Sequence, residues 1–332
     1  MPANGRILSA GRRNVLIGLP LAAAATPAVA AGSFWIARYQ AHKGDVTLQL
    51  YRKRLSAPRA GEAPLPVLFL VHGSSISALP SFDLTVPGAG EYSMMNVFAR
   101  YGFDVWTMDF EGYGKSTVTP GNSDIASGIA DLKAATPLVA QETKQSKFHF
   151  MGESSGAIRA AAFAVAEPDR VDRLVLEAFT YTGKGSPTLA KRGEQTEFYR
   201  THNRRPRGPD MIRSIFTRDK PGTSDPRVAD ALIKAEMPNG DSVPTGTYLD
   251  MTANLPLVDP AKLQGPVLMV RGQYDGISTQ EDLLDFFARL PTPDKQYAEI
   301  PGAAHSVTLS LARAGLWHVM REFLTMPQPP QS

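Results

Sequence analysis

Apolar and polar positions change rhythm several times along this chain. Between Asp45 and Leu55, Val46, Leu48 and Leu50 alternate with polar neighbours, the period-two signature of a strand with one covered face. Val67-Leu68-Phe69-Leu70-Val71 is apolar without interruption, as expected of a strand covered on both faces. Helical spacing follows over Glu91–Tyr101, a short strand over Asp104–Met108, and helical spacing again over Ile125–Val139, where Pro137 limits the end. Phe148-His149-Phe150-Met151 reads as a strand that runs straight into Gly152. Ala157–Glu167 is an alanine-rich helix stopped by Pro168, and Val171–Phe179 is a further strand. From Tyr181 to about Pro260 the apolar runs stop and charges, proline and glycine accumulate, as in Thr201-His202-Asn203-Arg204-Arg205-Pro206-Arg207-Gly208-Pro209. Alternation then resumes with a strand over Pro266–Val270, a helix over Thr279–Leu290, a strand over Gln296–Ile300 and a helix over Val307–Thr325.

Strands alternating with helices predict an α/β protein with a mostly parallel central sheet and helices on both faces. Residues 31–180 and 261–326 form the core of this reading, and residues 181–260 an insertion. The insertion is expected to act as a cap over the carboxyl ends of the strands, where open α/β sheets place their sites. Residues 327–332 are a polar, proline-rich tail.

Charge enters the picture mainly through its position. The formal net charge is +3, but residues 1–30 contain Arg6, Arg12 and Arg13 and no acid, leaving 32 basic and 32 acidic residues in the remainder. A near-neutral chain gives no electrostatic case for nucleic acid. The first thirty residues instead read as an export signal. A basic stretch ending in Arg12-Arg13 precedes an apolar run from Val15 to Ala30, and Ala28-Val29-Ala30 supplies small residues that a signal peptidase accepts. The arginine pair in Gly11-Arg12-Arg13-Asn14-Val15-Leu16 resembles a twin-arginine signal, with Gly11 where serine is usual. Pro20 and Pro27 interrupt the run, which disfavours an uncleaved anchor, and no later segment approaches the ~18 apolar residues of a spanning helix. The expected location is periplasmic or secreted, with no membrane contact after cleavage. The absence of cysteine removes disulfides, thiolate nucleophiles and cysteine metal sites.

The candidate chemistry centres on Gly152-Glu153-Ser154-Ser155-Gly156, set between a strand and a helix. A G-x-S-x-G motif alone is weak evidence, but that setting makes it a sharp elbow that lifts the Ser154 hydroxyl above the sheet. It also aims the Ser155 amide at a developing oxyanion beside the helix N-terminus. A general base is expected late in the chain. His305, in Pro301-Gly302-Ala303-Ala304-His305-Ser306, is the one histidine in a late strand-end loop; His318 falls inside the last predicted helix. Two carboxylates compete as the acid. Asp275 ends Arg271-Gly272-Gln273-Tyr274-Asp275 after a strand and precedes His305 by thirty residues; Glu177 ends the apolar strand after the elbow helix, where a lone buried carboxylate needs a partner.

These segments, in this order, resemble the α/β-hydrolase superfamily from about Asp45 to Thr325. The resemblance rests on His72-Gly73 after the first apolar strand, the Ser154 elbow, the Gly272-Gln273-Tyr274-Asp275 segment and the late His305. It implies that the Ser74 amide is the second oxyanion donor, beside Ser155, and that His72 is structural. Met108-Asp109-Phe110-Glu111-Gly112-Tyr113-Gly114-Lys115-Ser116 resembles the D-x-x-G-x-G-x-S segment of these enzymes, with Asp109 bonding loop amides. Zearalenone lactonases and sulfonylurea de-esterases are similar in carrying an acid at the Glu177 position, so both acids stay open here. A serine at 154 separates the chain from haloalkane dehalogenases and epoxide hydrolases, which have Asp there.

The function this implies is a serine hydrolase that cleaves a carboxylic ester of a small molecule through an acyl-enzyme on Ser154, with no metal or organic cofactor. Lactones, amides and carbamates use the same groups, and a slow ligand-binding homologue is the alternative outside catalysis. Phe82, Leu84, Phe179 and Tyr181 are candidates for an acyl pocket or for core. Arg192, Arg200, Arg204, Arg205 and Arg213 lie among Glu194, Glu197, Asp210 and Asp219, the pattern of a salt-bridged surface. The export reading predicts that the chain, expressed in a bacterium with its own leader, is recovered outside the cytoplasm with residues 1–30 removed. An intact-mass measurement on the exported protein checks this, and an unprocessed chain refutes it.

Overall fold

The computed structural model describes residues 34–327 of the chain; the predicted leader and most of the tail lie outside the described residues. In chain order the elements are β1 (Trp35–Lys43), β2 (Val46–Arg54), β3 (Val67–Val71), α1 (Ala78–Phe82), α2 (Met94–Arg100), β4 (Asp104–Met108), α3 (Ile125–Thr143), β5 (Phe148–Glu153), α4 (Ser155–Ala166) and β6 (Val171–Glu177). There follow α5 (Pro187–Gly193), α6 (Thr196–Thr201), β7 (Arg204–Pro206), α7 (Pro209–Ile215), α8 (Pro226–Glu236), β8 (Ser242–Pro244) and α9 (Gly246–Leu249). The chain closes with β9 (Val267–Gly272), α10 (Gln280–Arg289), β10 (Lys295–Ile300) and α11 (Arg313–Leu324).

Eight strands make one sheet in the order β1-β2-β4-β3-β5-β6-β9-β10. The strands from β4 to β10 along this order pair in parallel, while β1 and β2 pair antiparallel at one edge. Side-chain alternation along β3 sorts the core into two layers. Val67, Phe69 and Val71 face the layer containing α3, α4 and α10, whereas Leu68 and Leu70 face the one containing α2 and α11. Both faces are apolar because both are covered, which is why β3 shows no polar interruption.

Three local readings need correction. Residues 35–43 form β1, the hairpin partner of β2, joined through Gly44 at φ 56. Helix α3 runs past Pro137 to Thr143. Pro137 is exposed, so the carbonyl left without a helical donor is on the wet side, while Leu132, Ala135 and Val139 keep the buried stripe continuous. The last helix begins at Arg313, not Val307. Residues Val307–Leu309 make a separate 3-10 turn, because the Ser310 hydroxyl bonds Val307 O and accepts from the Ala312 amide, diverting the backbone.

Between β6 and β9 the chain leaves the sheet and forms α5 to α9 with the two-stranded β7–β8 pair. This segment has its own apolar cluster, in which Ile212, Phe216, Val228 and Leu232 meet Ile76, Leu84 and Leu309 from the sheet-end loops. No helix of the described residues is long and apolar enough to cross a membrane.

The antiparallel edge is locked by a buried ion pair: Arg52 Nε and Nη2 donate to Asp104 at 2.9 and 2.6 Å, with both side chains 2% exposed. Removing one partner strands the other charge. Arg52→Leu is therefore expected to cost about 3 kcal/mol, softened by Arg54 beside Asp104 at 3.7 Å. Urea unfolding of the variant checks this; a midpoint unchanged from the parent contradicts it.

Candidate active site

All the sequence-selected residues arrive at the carboxyl ends of adjacent strands. His72 follows β3, Ser154 follows β5, Glu177 ends β6, Asp275 follows β9 and His305 follows β10. The turn between β5 and α4 is so tight that Ser154 takes φ 58 and ψ −123, a region costly for any residue with a Cβ. Its amide donates to Glu177 O at 2.9 Å. Helix α4 can start there only because residue 156 is glycine: a Cβ at that position would run into the backbone oxygens of Val71 and His72.

The Ser154 hydroxyl lies 2.9 Å from His305 Nε2, and His305 Nδ1 lies 2.8 Å from Asp275 Oδ1. Asp275 is held by two further donors at the same oxygen, the amides of Ile277 at 2.8 Å and Ser278 at 3.0 Å. The three side chains thus form one continuous hydrogen-bonded line, with Asp275 and His305 both buried. Glu177 does not join it. Both its oxygens are buried without a well-formed hydrogen bond among the described residues, the Val307 amide being the one donor that favours its charged form. Burial, reinforced by Glu153 and Asp275, raises its carboxyl well above the ordinary value, against a smaller opposing effect of the Val307 amide. The upward shift favours the uncharged form, the form that a carboxyl in an apolar strand holds at least cost.

The loop after β3 is equally well fixed. His72 is buried, its Nδ1–H donates to Gly73 O at 2.8 Å, and its Nε2 accepts from the Phe110 amide at 3.3 Å. Burial pushes the imidazole down to about 3, with Arg159 adding to the effect, so His72 is neutral and structural. It holds the Gly73–Ser74 peptide, whose N–H is the anticipated oxyanion donor. The Tyr113 hydroxyl donates to Ser74 O at 2.9 Å. Asp109 accepts from the amides of Ala78 and Lys115, each at 2.9 Å, and from Tyr51 OH at 2.8 Å, which makes it a loop organiser.

Two residues that the sequence reading passes over enter from α9. Thr247 Oγ1 donates to Ser74 Oγ at 2.8 Å, and Ser74 Oγ donates to Ser155 Oγ at 2.7 Å. The Tyr248 hydroxyl is 2.7 Å from Ser75 Oγ. No motif surrounds Thr247 or Tyr248, and only tertiary contact brings them to Ser74 and Ser75. Phe82, Leu84 and Phe179, by contrast, are core side chains. The compartment over Ser154 and His305 has a volume of about 50 Å³ and is walled by Gly73, Ser74, Glu153 and Arg192 among others. A larger cavity of about 660 Å³, bounded in part by Tyr51, Asp109 and Lys234, contains none of the three hydrogen-bonded residues. No group of three or more His, Asp or Glu side chains suited to a metal ion occurs among the described residues.

The family described as serine aminopeptidase, S33 (Hydrolase_4) matches residues 88–310, a span that includes Ser154, Asp275 and His305. The chain belongs to this family. It is an α/β-hydrolase superfamily hydrolase. Among relatives, this hydrolase is similar to a 2-hydroxy-6-oxononadienedioate/2-hydroxy-6-oxononatrienedioate hydrolase of Paraburkholderia phymatum, 32% identical over 128 residues. That alignment covers 36% of the chain and spans only 38% of the relative. Among solved structures it is similar to a hydrolase of Pseudomonas aeruginosa, with a TM-score of 0.62, 19% identity, and 89% and 99% of the two chains covered. It is also similar to the 2-hydroxy-6-oxo-6-phenylhexa-2,4-dienoate hydrolase of a Rhodococcus strain, with a TM-score of 0.60, 17% identity, and 88% and 100% covered.

Glu153 gives the site a pH signature. It sits opposite Glu177 in the β5–β6 register, and its carboxyl receives a single bond, from Thr308 Oγ1 at 3.3 Å. Burial pushes it up to about 7, against a smaller opposing pull from His305. A raised carboxyl means the folded state holds the proton more tightly than the unfolded chain. The resulting stability is full below the unfolded value of 4.5 and is lost as pH rises through about 7. Glu153→Gln is therefore expected to flatten the fall in urea midpoint between pH 5 and pH 8. A variant whose midpoint drops as steeply as the parent's contradicts this assignment.

Proposed function

We propose that this hydrolase cleaves a carboxylic ester of a small molecule through an acyl-enzyme on Ser154. The observation that carries the reading is the unbroken Ser154–His305–Asp275 hydrogen-bond line at a strained strand–helix elbow. In this mechanism His305 Nε2 takes the hydroxyl proton as Oγ attacks the ester carbonyl. The new oxyanion is received by the Ser74 and Ser155 amides, and the tetrahedral adduct collapses with expulsion of the alcohol, which takes the proton from His305. Water then attacks the acyl-enzyme, again giving up its proton to His305, and Ser154 is regenerated with release of the acid. Asp275 holds the imidazole in the tautomer with hydrogen on Nδ1 and stabilises the imidazolium that forms. The segment between β6 and β9 serves as the cap, since α9 touches the oxyanion loop directly.

A second reading is supported by the relative from Paraburkholderia. The compounds in that protein's name are hydroxy-oxo dienedioates without an ester, so their hydrolysis breaks a carbon–carbon bond beside a ketone. The same nucleophile, base and oxyanion donors serve such a cleavage, because the attacked group is again a carbonyl.

A panel of 4-nitrophenyl esters, lactones and hydroxy-oxo-dienoates identifies the bond. Ser154→Ala is expected to lower kcat/KM by at least about a thousandfold, and Asp275→Asn by a similar order, on the principle that triad members act as a unit. Glu177→Gln is expected to stay within about tenfold of the parent. Loss of activity in Glu177→Gln with retention in Asp275→Asn would transfer the role of the acid.

A further inference from the structure

The arginines between β6 and β9 do not behave alike. Arg200 and Arg213 fit a solvated surface: they pair with Glu197 and Asp230 and are 57% and 53% exposed. Arg204 donates to Gly112 O and Ser242 O. Arg192 and Arg205 form no ion pair among the described residues. Each instead lies over the ring of Tyr248, at 5.3 and 4.6 Å. Both are partly buried. Buried Arg52 and Arg207 each meet a carboxylate, Asp104 and Glu236, whereas buried Arg159 is held by Ser123 O and the Phe110 ring and faces no cavity shared with other cations.

The position of the unpaired pair is informative. Arg192 walls the small compartment that holds Ser154 and His305. It also walls an adjoining cavity of about 460 Å³, shared with Lys191, Arg205, Arg218, Tyr199 and Gln195. Four cations line that cavity and no carboxylate does. Only Arg218 is neutralised, by Asp219 at 2.8 Å. Burial above all holds the Arg192 guanidinium below its ordinary value; Tyr248 opposes this, and Arg218 and Arg205 add to it by smaller amounts. Tyr248 lies against both guanidinium groups, and their N–H donors have no protein acceptor among the described residues. An anion with two oxygens completes such a site, because guanidinium–carboxylate contacts are bidentate and charge-assisted.

We propose that this cavity is a carboxylate subsite. Arg192 and Arg205 hold a carboxylate of the substrate while its reacting carbonyl enters the small compartment at Ser154. The hydrolase therefore selects acyl substrates that carry a carboxylate remote from the scissile carbonyl. This rests on the reading of Ser154 as nucleophile, and the test separates the two.

Two matched substrate pairs are compared on the full chain: mono-4-nitrophenyl glutarate with 4-nitrophenyl pentanoate, and 4-carboxyphenyl butyrate with phenyl butyrate. The carboxylate-bearing member of at least one pair is expected to have a kcat/KM higher by about tenfold or more. That ratio is expected to fall toward one in Arg192→Gln and in Arg205→Gln, and to persist in Arg213→Gln. Binding of glutarate to Ser154→Ala, followed by calorimetry, reads the subsite without turnover. Added Arg192→Gln is expected to weaken it at least tenfold, and added Arg213→Gln to leave it unchanged. Neutral esters cleaved as well as their acidic partners, or a preference that survives both Arg192→Gln and Arg205→Gln, overturns the subsite, as does absence of glutarate binding to Ser154→Ala. Glutarate binding that depends on Arg192, in a protein that turns over none of the substrates, upholds the subsite and overturns the nucleophile.

Discussion

The turn at Ser154 constrains everything around it. A non-glycine residue at φ 58 is held there by the surrounding structure, not by its own preference. The holding groups are identifiable: the Ser154 amide is tied to Glu177 O, and Gly156 lets the helix backbone lie against the end of β3. Because the β3 end carries His72-Gly73-Ser74, the contact that permits the elbow also sets that loop beside Ser154. One steric demand therefore fixes two adjoining loops at once. His305 and Asp275 then need only be delivered by the neighbouring strand ends, which the parallel sheet does as a matter of topology.

The carboxyl groups at this end of the sheet illustrate how environment assigns roles to identical chemistry. Asp275 accepts two amides and the imidazole, so its charge is distributed over real donors. Glu177, at the end of the adjacent strand, accepts no well-formed hydrogen bond and is pushed toward the neutral form. Glu153 lies between these extremes. Three acids in so small a volume are tolerable only because they do not all ionise together.

Much of this was legible in the residues. The two-period of β2, the unbroken apolar run of β3 and the strand–helix setting of Ser154 all follow from backbone geometry that side-chain pattern records faithfully. Asp275 and Glu177 could not be separated from sequence, because each ends a strand near the site and the decision depends on which one finds amide donors. Thr247 and Tyr248 were not visible at all. They sit in a short helix with no motif, and their proximity to Ser74 and Ser75 is purely tertiary. Pro137 misled for a local reason: the helix-breaking rule describes the cost of a lost bond, and that cost is small where water replaces it.

The hydrogen bonds from Thr247 through Ser74 to Ser155 carry a consequence for how such a protein diversifies. They make the segment between β6 and β9 a structural component of the turn that carries Ser154. Grafting a foreign segment onto this scaffold would leave the Ser74 hydroxyl without its donor and the Ser75 hydroxyl without Tyr248. A replacement segment that preserved these bonds would therefore have to keep α9 with its threonine and tyrosine in place.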